Sequence, residues 1–225
     1  MKKKSLREKI EGWIWTIVIV LILRESVVQA YLIPSGSMED TLLPGDFVLA
    51  TKFDYGLKIP FTDIKLFSGK LPKRGEIVIF TYPIDKNKDF VKRVIALPGD
   101  TIEIRNKVVY INNKPLFEPY VVYRDSYYYK SIDIDKESFQ KLWLSGAFAS
   151  GQKFVRDNFG PIVVPKNTVF VMGDNRDYSF DSRFWGPLDI KYLKGKPRII
   201  YFSWGDKGLR PVSYTHLTLP TNREV

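Results

Sequence analysis

The stretch "FVKRVIALPGDTIEIRNKVVYINNKPL", Phe90 to Leu116, reads as strand, turn, strand, turn, strand. Its first eight residues are rich in Val and Ile, and Leu97-Pro98-Gly99-Asp100 follows as a turn signal. From Thr101 to Leu116 apolar and polar residues alternate around Asn106-Lys107, with a second turn at Asn112-Asn113, which predicts a hairpin. Turns this closely spaced leave no room for a helix, so an antiparallel β architecture is expected. Working outward, further strands are predicted at 46–53, 75–83, 162–174 and 196–205. One amphipathic soluble helix is predicted at 136–148, closed by a glycine. The region 102–165 is either an inserted smaller β subdomain or a long loop with a hairpin. The expected fold class is mainly β, an antiparallel sheet with an inserted smaller β subdomain and one N-terminal transmembrane helix, although the residue pattern does not itself choose between subdomain and loop for 102–165.

Composition narrows the chemistry. With no cysteine among 225 residues, disulfides and thiolate metal sites are excluded. The single histidine, His216, lies near the C-terminus, so a histidine-rich metal site is not expected and a Ser-His-Asp triad would have to use that residue. The formal net charge of +10 suits either nucleic acid or an anionic membrane surface. No zinc finger, helix-turn-helix or RNP-type motif accompanies it, so membrane lipids are the expected anionic partner and nucleic acid is not.

The N-terminus carries Lys2, Lys3, Lys4, Arg7 and Lys9, then the uncharged "GWIWTIVIVLIL", Gly12 to Leu23, and then Arg24-Glu25. Taken as a helix over 12–33, the segment would span roughly 33 Å, against a hydrocarbon core of about 30 Å. Arg24 would then snorkel to the outer surface. Trp13 and Trp15 suit the inner interface belt, Tyr31 the outer one, and the basic residues 1–11 place the N-terminus in the cytoplasm. The competing reading is a cleaved secretory signal ending at Ala30. The tail 205–225 is uncertain, and "SYTHLTLPTNREV", 213–225, looks like non-native sequence.

Two serines, Ser35 and Ser37, follow the apolar segment within "IPSGSM". A serine hydroxyl needs a base to become a nucleophile. With histidine nearly excluded, a carboxylate or a lysine remains. A lysine serves only if burial lowers its pKa from about 10.4. Lys92 lies inside an apolar strand, but alternation alone does not bury it, and an exposed edge-strand lysine is the plainer reading. The second dense polar stretch is "MGDNRDYSFDSRFWGPL", Met172 to Leu188. It is either a solvated loop, a rigid network of Asp and Arg pairs, or an oxygen-rich metal site using Asp174, Asp177 and Asp181. The EF-hand spacing and closing glutamate are missing, so no metal is expected.

"IPSGSM", "GDFVLATKFDYG", "GEIVIF", "VKRVIALPGD" and "MGDNRDYSFDSRFWG" stand in the order found in bacterial type I signal peptidases, and the chain resembles that family up to about residue 204. The resemblance implies a peptidase domain over 34–204, with a fold like that of signal peptidases and LexA, and no cofactor or metal. It implies Ser37 as nucleophile and Lys92 as general base, with Ser35 as an oxyanion donor beside the Ser37 backbone N–H. It implies that Ser179 orients the lysine and that Asp181 and Arg183 form a supporting pair. Ile33, Met38, Leu42, Phe90 and Val91 match the residues of shallow substrate pockets. The implied substrates are secretory preproteins cut after small residues, as in A-x-A, on the outer face of the cytoplasmic membrane. One residue departs from the pattern: Asp40 stands where the family usually has proline, and an Asx-type turn is the expected compensation. Two other functions stay open on the sequence: a LexA-like self-cleaving Ser/Lys protease, and a non-enzymatic exported β-rich binding protein.

Overall fold

The computed structural model describes residues 6–26, 28–56, 69–205 and 208–210. Residues 1–5 and most of the tail, including His216 and 213–225, lie outside the described residues. The chain opens with helix α1 (Leu6–Ser26), followed by strands β1 (Val28–Leu32), β2 (Asp46–Thr51), β3 (Ile77–Thr81) and β4 (Asp89–Ala96). Next come β5 (Thr101–Arg105), β6 (Val108–Ile111), β7 (Lys114–Pro115) and helix α2 (Lys136–Leu144). The last part holds β8 (Phe159–Val163), β9 (Thr168–Met172), α3 (Ser182–Trp185), β10 (Leu188–Asp189), β11 (Leu193–Gly205) and β12 (Gly208–Leu209).

Two antiparallel sheets result. The larger runs β1-β2-β11-β3-β4-β9-β10, with β12 on the far end of β11. The smaller runs β7-β6-β5-β8 and draws its strands from 101–115 and 159–163. Its hairpins turn on Asn106-Lys107 and Asn112-Asn113, all four with positive φ, as two-residue turns between right-twisted strands require. The smaller sheet does not close on a core of its own. Its Ile102, Ile104, Val109 and Ile162 share one cluster with Ile95, Phe170 and Met172 of the larger sheet and with Phe139 and Trp143 of α2.

Several expectations shift. The predicted strand 162–174 is two strands, because Pro165 and the left-handed Asn167 (φ 60°) break it. Helix α2 stops at Leu144 rather than 148, since Gly146 turns left-handed at φ 71°. The supposed helix over 12–33 is not one helix. α1 ends at Ser26, and Val28–Leu32 is drawn into the sheet by pairing with Phe47–Thr51. No described helix is long and apolar enough to cross a membrane. Lys92 is not on an edge: β4 lies between β3 and β9 and is covered on both faces.

Candidate active site

Chain reversal after β1 builds the serine turn. The Ile33 N–H donates to Asp46 O at 2.8 Å and the Gly45 N–H to Ile33 O at 2.9 Å, which closes the excursion between them. Within it, Gly36–Met38 forms one 3₁₀ turn, pinned by the buried Met38 side chain and by Leu42 N–H donating to Met38 O at 2.7 Å. Gly36 keeps an ordinary φ, so left-handed freedom is not what the position uses. A methyl group there would collide with the Glu39 carboxylate. Asp40 is the left-handed residue, at φ 69°, a conformation closed to proline. Its carboxylate does not make the expected Asx turn. It accepts from Arg124 Nη2 at 2.9 Å, an exposed pair between segments far apart in sequence.

Strand β4 brings Lys92 to this turn. Lys92 Nζ donates to Ser37 Oγ at 2.6 Å and to Val91 O at 3.1 Å, and the residue is only 4% exposed. Burial pulls its pKa down to about 8; the carboxylates of Asp181 and Asp174 oppose that shift and Arg183 adds to it. The elimination of histidine from the sequence therefore meets a lysine that can shed its proton near neutral pH. Ser35 Oγ lies 3.4 Å from Ser37 Oγ.

The segment 172–188 is a buried network rather than a solvated loop. Asp174, Asn175, Arg176, Ser179, Asp181, Ser182 and Arg183 are all buried. Arg93 holds Asp174 through two bonds of 2.8 and 2.5 Å, and Arg183 holds Asp181 through two of 2.8 Å. Such paired forks satisfy both partners inside a dry interior. Burial pushes the Asp181 carboxyl up, yet Arg183, the Ser179 hydroxyl and the Gly173 N–H together outweigh this and hold the group below its usual range. Asp177 in turn accepts from Lys107 Nζ at 3.0 Å, so the three aspartates considered as metal ligands are each spent on a cation of the chain.

Ser179 does not bond to Lys92. Its hydroxyl accepts from the Gly173 N–H at 3.1 Å, a donor it shares with Asp181 Oδ2, also at 3.1 Å. Ser179 and the Asp181–Arg183 pair thus fix the Gly173 backbone, which presses on Ser37. Any side chain at Gly173 would run into Ser37 O and Ser179 Oγ. Asn175 completes the contact, its N–H donating to Ser37 O at 3.2 Å and its Nδ2 to Gly36 O at 3.2 Å.

An open cleft of about 570 Å³ runs past Ser37 and Lys92. Of the residues matched to substrate pockets, Ile33, Met38, Phe90 and Val91 lie on its wall, together with Ser35. Leu42 does not: it is fully buried in the core beneath, packed with Met38, Val48 and Ile79. Glu39, Arg124, Asn175 and Tyr178 also line the cleft and were not singled out from sequence. Asn175 stood within the dense polar stretch and could have been found there. Arg124 carried no local signal, because its neighbours in the cleft lie far away along the chain.

The profile of the family described as "Signal peptidase, peptidase S26" matches residues 6–204. The signal peptidase I of Aquifex aeolicus is 35% identical over 95% of this chain and 91% of its own length. That of Buchnera aphidicola subsp. Schizaphis graminum is 34% identical, covering 91% and 78%. That of Pseudomonas aeruginosa is 36% identical, covering 84% and 69%. A crystal structure of a signal peptidase I from Enterococcus faecalis V583 is 28% identical, with a TM-score of 0.38 over 56% of this chain and 97% of that one.

Proposed function

This chain belongs to the peptidase S26 family of signal peptidases, and on that premise we propose that it cuts preproteins with a Ser37/Lys92 dyad. A non-enzymatic binding role is set aside by the family. The observation that carries the proposal is the 2.6 Å contact between Lys92 Nζ and Ser37 Oγ, made by a buried lysine whose pKa is drawn down to about 8. The neutral amine takes the Ser37 proton while Oγ attacks the scissile carbonyl. The oxyanion that forms is received by the Ser37 N–H and the Ser35 hydroxyl. Lys92 returns the proton to the departing nitrogen, and then draws one from the water that releases the acyl group. Gly173, Ser179, Asp181 and Arg183 hold the serine turn against β4 while this happens.

The substrates are secretory preproteins carrying signal peptides, cut after small residues of the A-x-A type. Ile33, Phe90 and Val91 present a shallow apolar wall that a bulky side chain would overlap, at a penalty of about 1–3 kcal/mol. The N-terminal segment holds the chain at the cytoplasmic membrane, N-terminus inside and the peptidase domain outside; α1 as described, Leu6–Ser26, supplies only part of the apolar length that a crossing needs. Exposed Trp13, Ile14, Trp15 and Ile17 behind the basic N-terminus support that placement.

The test is cleavage of a preprotein with an A-x-A site, added in trans, by the full chain and by Ser37→Ala and Lys92→Ala. Both variants should lose at least about 10³-fold in kcat, the order expected when a nucleophile or its base is removed. Full activity in either would end the dyad. Cleavage of the chain itself, with none in trans, would favour a LexA-like reading.

A further inference from the structure

Glu39 sits two residues beyond Ser37 and lines the same cleft, yet the mechanism leaves it without a task. Among the described residues it forms no ion pair. The two cations among the residues that line the cleft are otherwise engaged, Lys92 with Ser37 Oγ and Val91 O, and Arg124 with Asp40. The Glu39 carboxylate is nonetheless held. Its Oε2 accepts from Asn175 Nδ2 at 3.1 Å, and its other oxygen lies back against Gly36, beside the nucleophile.

Asn175 adds an independent observation. Its Nδ2 faces two oxygens, Gly36 O and Glu39 Oε2, which settles which end of the amide is nitrogen. Its Oδ1 is therefore an acceptor, and among the described residues it is buried without a partner, in a residue only 2% exposed. Buried acceptors are rarely left so, and one beside a reaction centre calls for a donor. Glu39 brings a carboxylate to the cleft wall whose one bond is that from Asn175 Nδ2, and among the described residues neither it nor the buried Asn175 Oδ1 beside it meets a cation or a further donor.

The reaction itself makes such a donor. When Ser37 Oγ bonds to the scissile carbon, the C–N bond breaks and the nitrogen leaves with the proton that Lys92 took from the serine. The free amine then takes one more proton from water, since an α-amino group has a pKa of about 7.7–8.0. The product is an α-ammonium with three N–H donors and one positive charge, and every preprotein whose mature part does not begin with proline yields it. A carboxylate with a neighbouring neutral acceptor is the complement of that group.

We propose that Glu39, oriented by Asn175, binds the newly made N-terminal ammonium of the mature protein. The site acts on the leaving half of the substrate and is separate from the apolar wall that reads the signal peptide. This rests on the peptidase reading above.

The test uses the full chain and two short peptides copying the first residues of a mature protein, one with a free α-amine and one N-acetylated. Each is added as an inhibitor of preprotein cleavage. The free amine should inhibit wild type at least fivefold more tightly than the acetylated peptide. In Glu39→Gln the two should agree within twofold, and Glu39→Asp should restore part of the difference. Equal inhibition in wild type overturns the site without recourse to any variant. So does a preference for the free amine that survives in Glu39→Gln, or the failure of both peptides to inhibit. If wild type leaves the preprotein intact, the peptidase reading falls first, and that outcome is seen before either inhibitor is added.

Discussion

At the scale of single residues, Lys92 carries a conflict between stability and function. Its folded pKa of about 8 lies below the ordinary value of 10.5, chiefly because burial disfavours the charged form. Between those values the unfolded chain binds the proton and the folded chain does not, so stability rises as pH climbs from about 8 to 10.5. Below about 8 both forms are charged and the full penalty of burying the ammonium applies. A shift of this size corresponds to about 3 kcal/mol at most. Lys92→Met should therefore abolish cleavage yet raise stability at pH 7, with the gain over wild type shrinking towards pH 10. Denaturant melts at the two pH values measure this, and a variant less stable than wild type at pH 7 would show that the lysine's hydrogen bonds matter more than its desolvation. The same shift makes kcat/KM rise with pH through about 8 and level off above it. A profile flat from pH 6 to 10 would exclude Lys92 as the base.

At the scale of elements, the site is a seam between the serine turn after β1, the strand β4 and the segment after β9. Gly173 is its tightest point, trapped between Ser37 O and Ser179 Oγ. Gly173→Ala should push the serine turn off Lys92 and cost kcat about 10²-fold, as small misplacements of reacting groups do, with KM changed far less. Unchanged kcat would mean that the seam has slack that the structure does not show. Little of this seam was legible in the sequence. Strand positions were, because Val, Ile and Phe runs and the Asn-rich turns are local signals. The burial of Lys92 was not, since it depends on β3 and β9 flanking β4. The fate of the polar stretch 172–188 was hidden for a similar reason, because its partners Arg93 and Glu118 come from other parts of the chain. Ordered motifs shared with a known family supplied what periodicity lacked. They were nonetheless misleading at Leu42, which is core, and at Ser179, whose hydroxyl serves Gly173 rather than the lysine. Asp40 shows the reverse case, a departure from the family pattern whose sense appears only in the backbone, where a left-handed turn leaves no place for proline.

At the scale of the whole molecule, the decisive fact is that the smaller sheet lacks a private core. Trp143 of α2 is fully buried between Phe159 of the smaller sheet and Phe170 of the larger one. Its indole N–H donates to Ser182 O at 2.7 Å, next to the Arg183 that clamps Asp181. One side chain thus joins the two sheets and touches the support of the catalytic seam. Unfolding the smaller sheet alone would open the shared cluster and leave Ser182 O with only the Gly186 N–H of its two donors. The two sheets should therefore melt together. Trp143→Ala removes a large aromatic and a buried hydrogen bond, and should cost about 3–5 kcal/mol. Its denaturation curve should remain a single transition, shifted to lower denaturant, with loss of activity following the same curve. Trp143→Phe keeps most of the volume and should recover most of the loss, leaving the missing hydrogen bond as the remainder. Two separated transitions, with cleavage surviving the first, would instead show that the smaller sheet folds as an independent unit and that the shared cluster contributes little to holding Ser37 against Lys92.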